Sequence, residues 1–116
     1  MSKSFCVFCK IVEGQIPATI LYETPTTLAF KDVNPKAPHH ILVIPKHHLS
    51  SLIELTGDHE SLMADLFSSA RQVAVDQGLH TTGFRTVVNT GRDAGQEVNH
   101  VHVHLLAGRP LKWPPG

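Results

Sequence analysis

Long apolar runs are missing from this 116-residue chain. No stretch approaches the roughly 20 apolar residues that a membrane-spanning helix requires. The opening residues, Met1 to Cys6, lack the apolar segment of a secretory leader. The expectation is therefore a cytoplasmic protein with no membrane partner. Excess charge is missing as well, with ten Lys and Arg against ten Asp and Glu. Without a global field to recruit a polyanion, bulk nucleic-acid binding is disfavoured. No internal repeat, low-complexity tract or linker divides the chain, so residues 1–116 read as one domain, long enough to bury a core without staples. Its 41% hydrophobic and 17% charged residues are ordinary for a globular protein.

What the chain does have is histidine. Nine are present, and seven of them fall in three tight groups, His39 with His40, His47 with His48, and His100, His102 and His104. Imidazole carries protons near neutrality, ligates metals and attacks as a nucleophile, so clustering points to a site. In His100-Val101-His102-Val103-His104-Leu105-Leu106 the histidines alternate with apolar residues. Strict alternation is the mark of a half-buried strand, which puts the three imidazoles on one face and the valines and leucines toward the core. Neighbours in such a row lie about 7 Å apart, a spacing suited to touching different atoms of one ligand. Two histidines at i and i+2 can share a zinc, but i and i+4 are about 13 Å apart on an extended strand, so the three cannot all ligate one ion.

Other elements follow from pattern. Phe8, Ile11 and Val12 form one apolar face of a short N-terminal helix ended by Gly14. Ile20 to Glu23 and Thr27 to Asp32 read as a hairpin, and the prolines at Pro35 and Pro38 demand a loop. His40 to Pro45 has the continuous apolar character of a central strand buried on both faces. Ser50 to Leu55 reads as a helical turn. From Asp58 to Gln77 the residues Leu62, Met63, Leu66, Phe67, Ala70, Val73 and Ala74 keep a helical period, with Asp58 as N-cap and Gly78 as left-handed stop. Arg85 to Asn89 reads as a fourth strand, Asn89 to Gln96 as a glycine-bearing loop, and the histidine row as a fifth strand. The segment from Gly108, with residues 109–116 as its irregular tail, holds three prolines and the single Trp113. The class is α+β, a five-stranded, largely antiparallel sheet with one long helix and a short N-terminal one.

Two further features bear on chemistry. Cys6 and Cys9, with two residues between them, suit a zinc site completed by histidines, a redox pair, or simply the apolar side of a helix. In the loop from Asn89 to Gln96, glycines let backbone N–H groups approach an anion, though an ordinary strand connection has the same residues.

The histidine row resembles the His-φ-His-φ-His-φ-φ signature of the histidine triad (HIT) superfamily of nucleotide hydrolases and transferases. Asp32 to His40, the apolar run closing on Ile44-Pro45-Lys46, Val88 to Gly91, Gly108-Arg109 and Trp113-Pro114-Pro115-Gly116 resemble its Hint branch, and the likeness spans almost the whole chain. The resemblance implies a HIT-like fold and hydrolysis of the P–N bond of purine nucleoside 5′-phosphoramidates, such as AMP–amine and GMP–amine conjugates, through a nucleotidyl-histidine intermediate. Hydrolysis of dinucleoside polyphosphates is the alternative enzymatic reading. A nucleotide-binding interaction module and a zinc-stabilised domain without catalysis are the non-enzymatic ones.

Carried over by position, His102 resembles the nucleophile, and His104 the residue that binds phosphate and assists the leaving group. His40 and His100 resemble the histidines completing the catalytic surroundings. Asp32 resembles the acceptor of the ribose hydroxyls, and Phe8, Ile11, Phe30, Val33 and Leu42 the apolar purine pocket. Asn89, Gly95, Gln96 and Glu97 occupy the phosphate-contacting loop. Glu97 stands where the animal proteins have serine, and a carboxylate there is expected to meet a cationic leaving group. Relatives with a Cys6 and Cys9 pair hold a structural zinc with histidines matching His48 and His100, which would leave His100 a structural task, the metal fixing the backbone beside the nucleophile. No organic cofactor is implied. A homodimer is, with the tail carrying Trp113 crossing to the partner's site.

Overall fold

The computed structural model describes residues 5–116. Met1 to Ser4, the start of the segment read as lacking a leader, lie outside the described residues. The described elements are α1 (Val7–Val12), β1 (Ile20–Glu23), β2 (Thr27–Lys31), β3 (His39–Pro45), α2 (Glu60–Asp76), β4 (Phe84–Val87) and β5 (Val103–Ala107), with 3₁₀ turns at Leu52–Glu54, Gly57–His59 and Leu79–Thr81. The strands form one sheet in the order β1-β2-β3-β5-β4, every neighbouring pair antiparallel. This is the α+β arrangement that the patterning predicts.

The continuous apolar run of β3 puts that strand in the middle of the sheet, where six of its seven residues are buried. Alternation sends Ile41 and Val43 to one face, where Ala29, Val103 and Leu105 join Leu66, Ala70, Val73 and Ala74 of α2. Leu42 and Ile44 go to the other face and pack with Leu28, Phe30, Phe8, Cys6 and Cys9. One face is thus closed by a 17-residue helix and the other by a six-residue one. The second is only partly covered, which leaves room for a cleft.

Several boundaries depart from the sequence expectation. The histidine row is not wholly strand, because β5 begins at Val103 and His100 to His102 precede it outside the ladder. In the register that pairs Val43 with Val103, continuation would need an N–H from Pro45, which has none. The Pro45 carbonyl instead accepts from His100 Nε2 at 2.8 Å. The end of β4 is at Val87, which pairs with His104; in that register Val88 would face Val103, the first residue of β5, and Asn89 would face His102, outside the strand. Strand β4 therefore spans Phe84–Val87 rather than residues 85 to 89. Helix α2 starts at Glu60, with His59 at the N-cap and no side-chain cap bond, because Gly57, Asp58 and His59 form a 3₁₀ turn. Asp58 is not the cap. Phe67 is 51% exposed and lies off the buried stripe of α2, while Leu66 and Ala70 carry it. Gly78 does adopt the left-handed conformation, φ +73°, at the end of the helix.

Candidate functional site

Because Val103 and Leu105 point into the α2 core, His102 and His104 are directed to the opposite face. His104 pairs across the sheet with Leu42, and His40 lies two residues earlier on β3. These three histidines line a cleft of about 510 Å³, within the range of about 300–1,000 Å³ that holds small-molecule ligands. Its lining is apolar at Phe8, Ile11, Phe30, Val33 and Leu42, and Asp32, Asn89, Gly95 and Glu97 line it as well.

Hydrogen bonds to the backbone assign the tautomers. His102 Nδ1 lies 2.7 Å from the His100 carbonyl, an acceptor only, so this nitrogen carries the proton and donates. The lone pair is left on Nε2. His40 Nδ1 accepts from the Lys36 N–H at 3.0 Å, which places the proton on His40 Nε2. That proton goes to His104 Nδ1 at 2.9 Å, with the Asp32 carboxylate 3.4 Å away as a weaker second acceptor. His104 in turn carries its proton on Nε2. The cleft therefore presents one imidazole with a free lone pair beside one with an N–H, their ring centroids 4.8 Å apart. That spacing is closer than a regular strand row allows, and it lets a ring lone pair and a ring N–H reach one small ligand.

Electrostatics favour neutral rings. Burial pushes His104 down to about 4, with the neighbouring His102 and His40 acting the same way and Asp32 opposing. Burial also lowers His102, against the pull of the His100 carbonyl and Asp32. His40 is lowered by burial too, opposed by Asp32. Asp32 accepts an Asx-turn bond from the Asn34 N–H at 2.8 Å, which aims its carboxylate.

A second cluster sits directly behind. Cys6 and Cys9 of the α1 region meet His48 and His100, and all four ligand atoms lie within 4.8 Å of one another. His100 Nδ1 is 3.3 Å from Cys6 Sγ, 3.6 Å from Cys9 Sγ and 3.2 Å from His48 Nδ1, and His48 Nδ1 is 3.2 Å from Cys9 Sγ. A tetrahedral zinc with bonds of about 2.0–2.3 Å has ligand-to-ligand edges of about 3.3–3.8 Å. Those edges match these four separations to within a few tenths of an ångström, and the remaining two are no more than 4.8 Å. His100 Nε2 donates to the Pro45 carbonyl, the outer-sphere bond that turns a ligating Nδ1 lone pair inward. Chemistry and geometry both fit Cys2His2 coordination. Burial lowers His100 to about 4, so its ring is neutral and available as a ligand at pH 7.

Not every residue expected in the cleft is there. Gln96 is turned away: its Oε1 accepts from Gly91 N–H at 3.0 Å, and its Nε2 donates to the carbonyls of Ser50 at 2.7 Å and Val98 at 3.0 Å. Its amide braces the loop rather than facing the ligand space. Trp113 is 82% exposed and outside the cleft of this chain. The tail beside it is held by Arg85, whose guanidinium donates to the carbonyls of Leu111 and Lys112. His100 belongs to the Cys2His2 cluster and does not line the cleft. Conversely, Val7, Ile16, Ala18 and Val98 help to line it without having been singled out. Isolated apolar residues on a short helix and in loops give no periodic signal.

A family model described as the HIT domain matches residues 13–111. The chain belongs to the HIT family. An uncharacterized HIT-like protein of Synechococcus elongatus is 51% identical over 110 residues, covering 95% of this chain and 96% of that one. A 14 kDa zinc-binding protein of Zea mays is 45% identical over 112 residues, covering 95% and 87%. Among solved structures, a HIT family hydrolase of Legionella pneumophila superposes with a TM-score of 0.93 at 45% identity, covering 96% of this chain and 99% of that one. Its fold is this HIT chain's fold. Among the described residues, no helix is long and apolar enough to cross a membrane.

Proposed function

We propose that this HIT protein hydrolyses the P–N bond of purine nucleoside 5′-phosphoramidates through a nucleotidyl-His102 intermediate. One observation carries the reading: the His100 carbonyl holds the Nδ1 proton of His102 and leaves the Nε2 lone pair in a nucleotide-sized cleft beside the His104 N–H. Similarity to a HIT family hydrolase supports it. The apolar lining at Phe8, Phe30 and Leu42 suits a purine ring, and Asp32 is aimed to accept from ribose hydroxyls.

The incoming phosphoryl group brings negative charge, which favours protonation of His104 at Nδ1, with the His40 Nε2–H turning to the Asp32 carboxylate. His102 Nε2 attacks the α-phosphorus, the P–N bond breaks, and the amine leaves with the bonding pair while taking the Nε2 proton of His104. Water then adds to phosphorus and gives its proton to His104 Nε2, and the bond to His102 breaks to return a neutral imidazole. Splitting one displacement into two lowers each barrier. Cys6, Cys9, His48 and His100 would hold zinc, which when bound supplies a structural cross-link with no open coordination position. The maize relative's description as zinc-binding supports that assignment. A second copy bringing Trp113 to this cleft belongs to the same reading.

The test is His102→Ala assayed on an AMP–amine conjugate. The expected result is loss of both turnover and the covalent nucleotidyl adduct seen by intact mass. Unchanged turnover overturns the proposal, and efficient cleavage of dinucleoside polyphosphates with none of phosphoramidates replaces the substrate class.

A further inference from the structure

The donor cluster is tied to the cleft by one residue and one helix. His100 offers Nδ1 to the cluster and Nε2–H to Pro45, and its carbonyl accepts from the ring of His102. With its ring held at both nitrogens, His100 has a restrained backbone, and the carbonyl on that backbone keeps the His102 lone pair on Nε2. Helix α1 makes the second link. Six residues are too few to persist as an isolated helix. Its N-cap is Cys6, whose sulfur accepts the Cys9 N–H at 3.3 Å, so both cysteines belong at once to the helix and to the donor cluster. Between them stands Phe8, whose ring meets His100 at 5.8 Å, His102 at 5.2 Å and Phe30 at 5.6 Å between centroids, all edge-on. Val7, Phe8 and Ile11 of this helix form part of the cleft wall.

We infer that the Cys2His2 cluster and the nucleotide cleft are energetically coupled through His100 and Phe8, so that metal binding tightens nucleotide binding and nucleotide tightens metal binding; this rests on the nucleotide reading above. Metal holds the two cysteines and His100 together, which orders α1 and sets the Phe8 edge against the His102 ring. A purine seated on that wall orders the same helix from the other side. Whichever ligand binds first removes ordering cost for the second. By linkage the two effects are equal in magnitude. His100 and Phe8 act here as positioning residues, one through the backbone and one through its ring.

The experiment is zinc competition against a chromogenic chelator on the wild-type chain, with and without saturating AMP, followed by AMP titration of the zinc-loaded and chelated protein. AMP is expected to tighten apparent zinc affinity by about tenfold, with chelation weakening AMP by the same factor. Phe8→Leu keeps all four donors, so zinc still binds, but the coupling factor falls toward one. Zinc affinity that is identical with and without AMP overturns the inference, as does absence of zinc binding. A coupling factor unchanged in Phe8→Leu also overturns it, because the linkage then runs through global folding. AMP that fails to bind the zinc-loaded protein overturns the nucleotide reading too, whereas AMP that binds without coupling overturns this inference alone.

Discussion

The two faces of the sheet use the same alternating strands for opposite purposes. Toward α2, Ile41, Val43, Val103 and Leu105 meet Leu66, Ala70, Val73 and Ala74 in a dry apolar layer. On the other face the same strands present His40, His104 and Leu42, and the covering helix α1 is too short to close it. Polar rings are tolerated there because each has a partner. His102 donates to a carbonyl, His40 accepts from an amide and donates to His104, and His100 donates to Pro45. One face supplies stability and the other geometry, so a substitution should damage one property far more than the other.

The sharpest test of that division is a pair of substitutions. His102→Ala is expected to cut turnover by about 10³-fold or more, the scale of removing a covalent nucleophile, with a smaller fall in melting temperature than Leu66→Ala. Leu66→Ala is expected to cost about 3 kcal/mol in denaturant unfolding, from lost burial and a residual cavity, while the KM of the surviving folded enzyme stays close to wild type. Equal losses of activity and stability in both variants would erase the contrast between the faces.

Acid should act on the cleft face. His104 sits at about 4 in the fold against an ordinary 6.5, and His40 is shifted in the same direction. The unfolded chain then binds more protons between these values, so stability rises with pH through that window. The contribution is fully present above pH 6.5 and is lost as pH falls toward 4. Urea unfolding between pH 7 and 4 should therefore show a slope that His104→Asn flattens. An unaltered slope in that variant would assign the acid sensitivity elsewhere. The smallest effect concerns Glu97, on the wall of the cleft and exposed. Glu97→Gln is expected to lower kcat/KM by about threefold for a phosphoramidate whose leaving amine bears a separate cationic group, the scale of an exposed ion pair. A neutral leaving amine should show no change.

Much of this was legible in the sequence because periodicity reports burial. The central strand, the stripe through Leu66, Ala70, Val73 and Ala74, and the glycine stop at Gly78 all follow from local pattern. The terminal pieces were harder. That β5 begins at Val103 depends on a missing N–H at Pro45, 58 residues away. Gln96 illustrates the same limit within the site. Its residue type suits a ligand contact, but its amide is committed to Gly91 and Val98 within its own loop and to Ser50, a partner that only folding brings close.

The sequence alone determined which chemical groups exist and which of them share a face, because alternation and helical period are properties of the local chain. It named the imidazoles, the paired thiols and the carboxylate at Asp32. Tertiary structure decided which nitrogen of each imidazole holds its proton, since that depends on how the backbone is folded around each ring: the nearby His100 carbonyl for His102, the Lys36 N–H for His40 and the distant Pro45 carbonyl for His100. It also decided that His100 leaves the row for the cysteines while its carbonyl stays with His102, a division of one residue between two sites that no spacing rule contains.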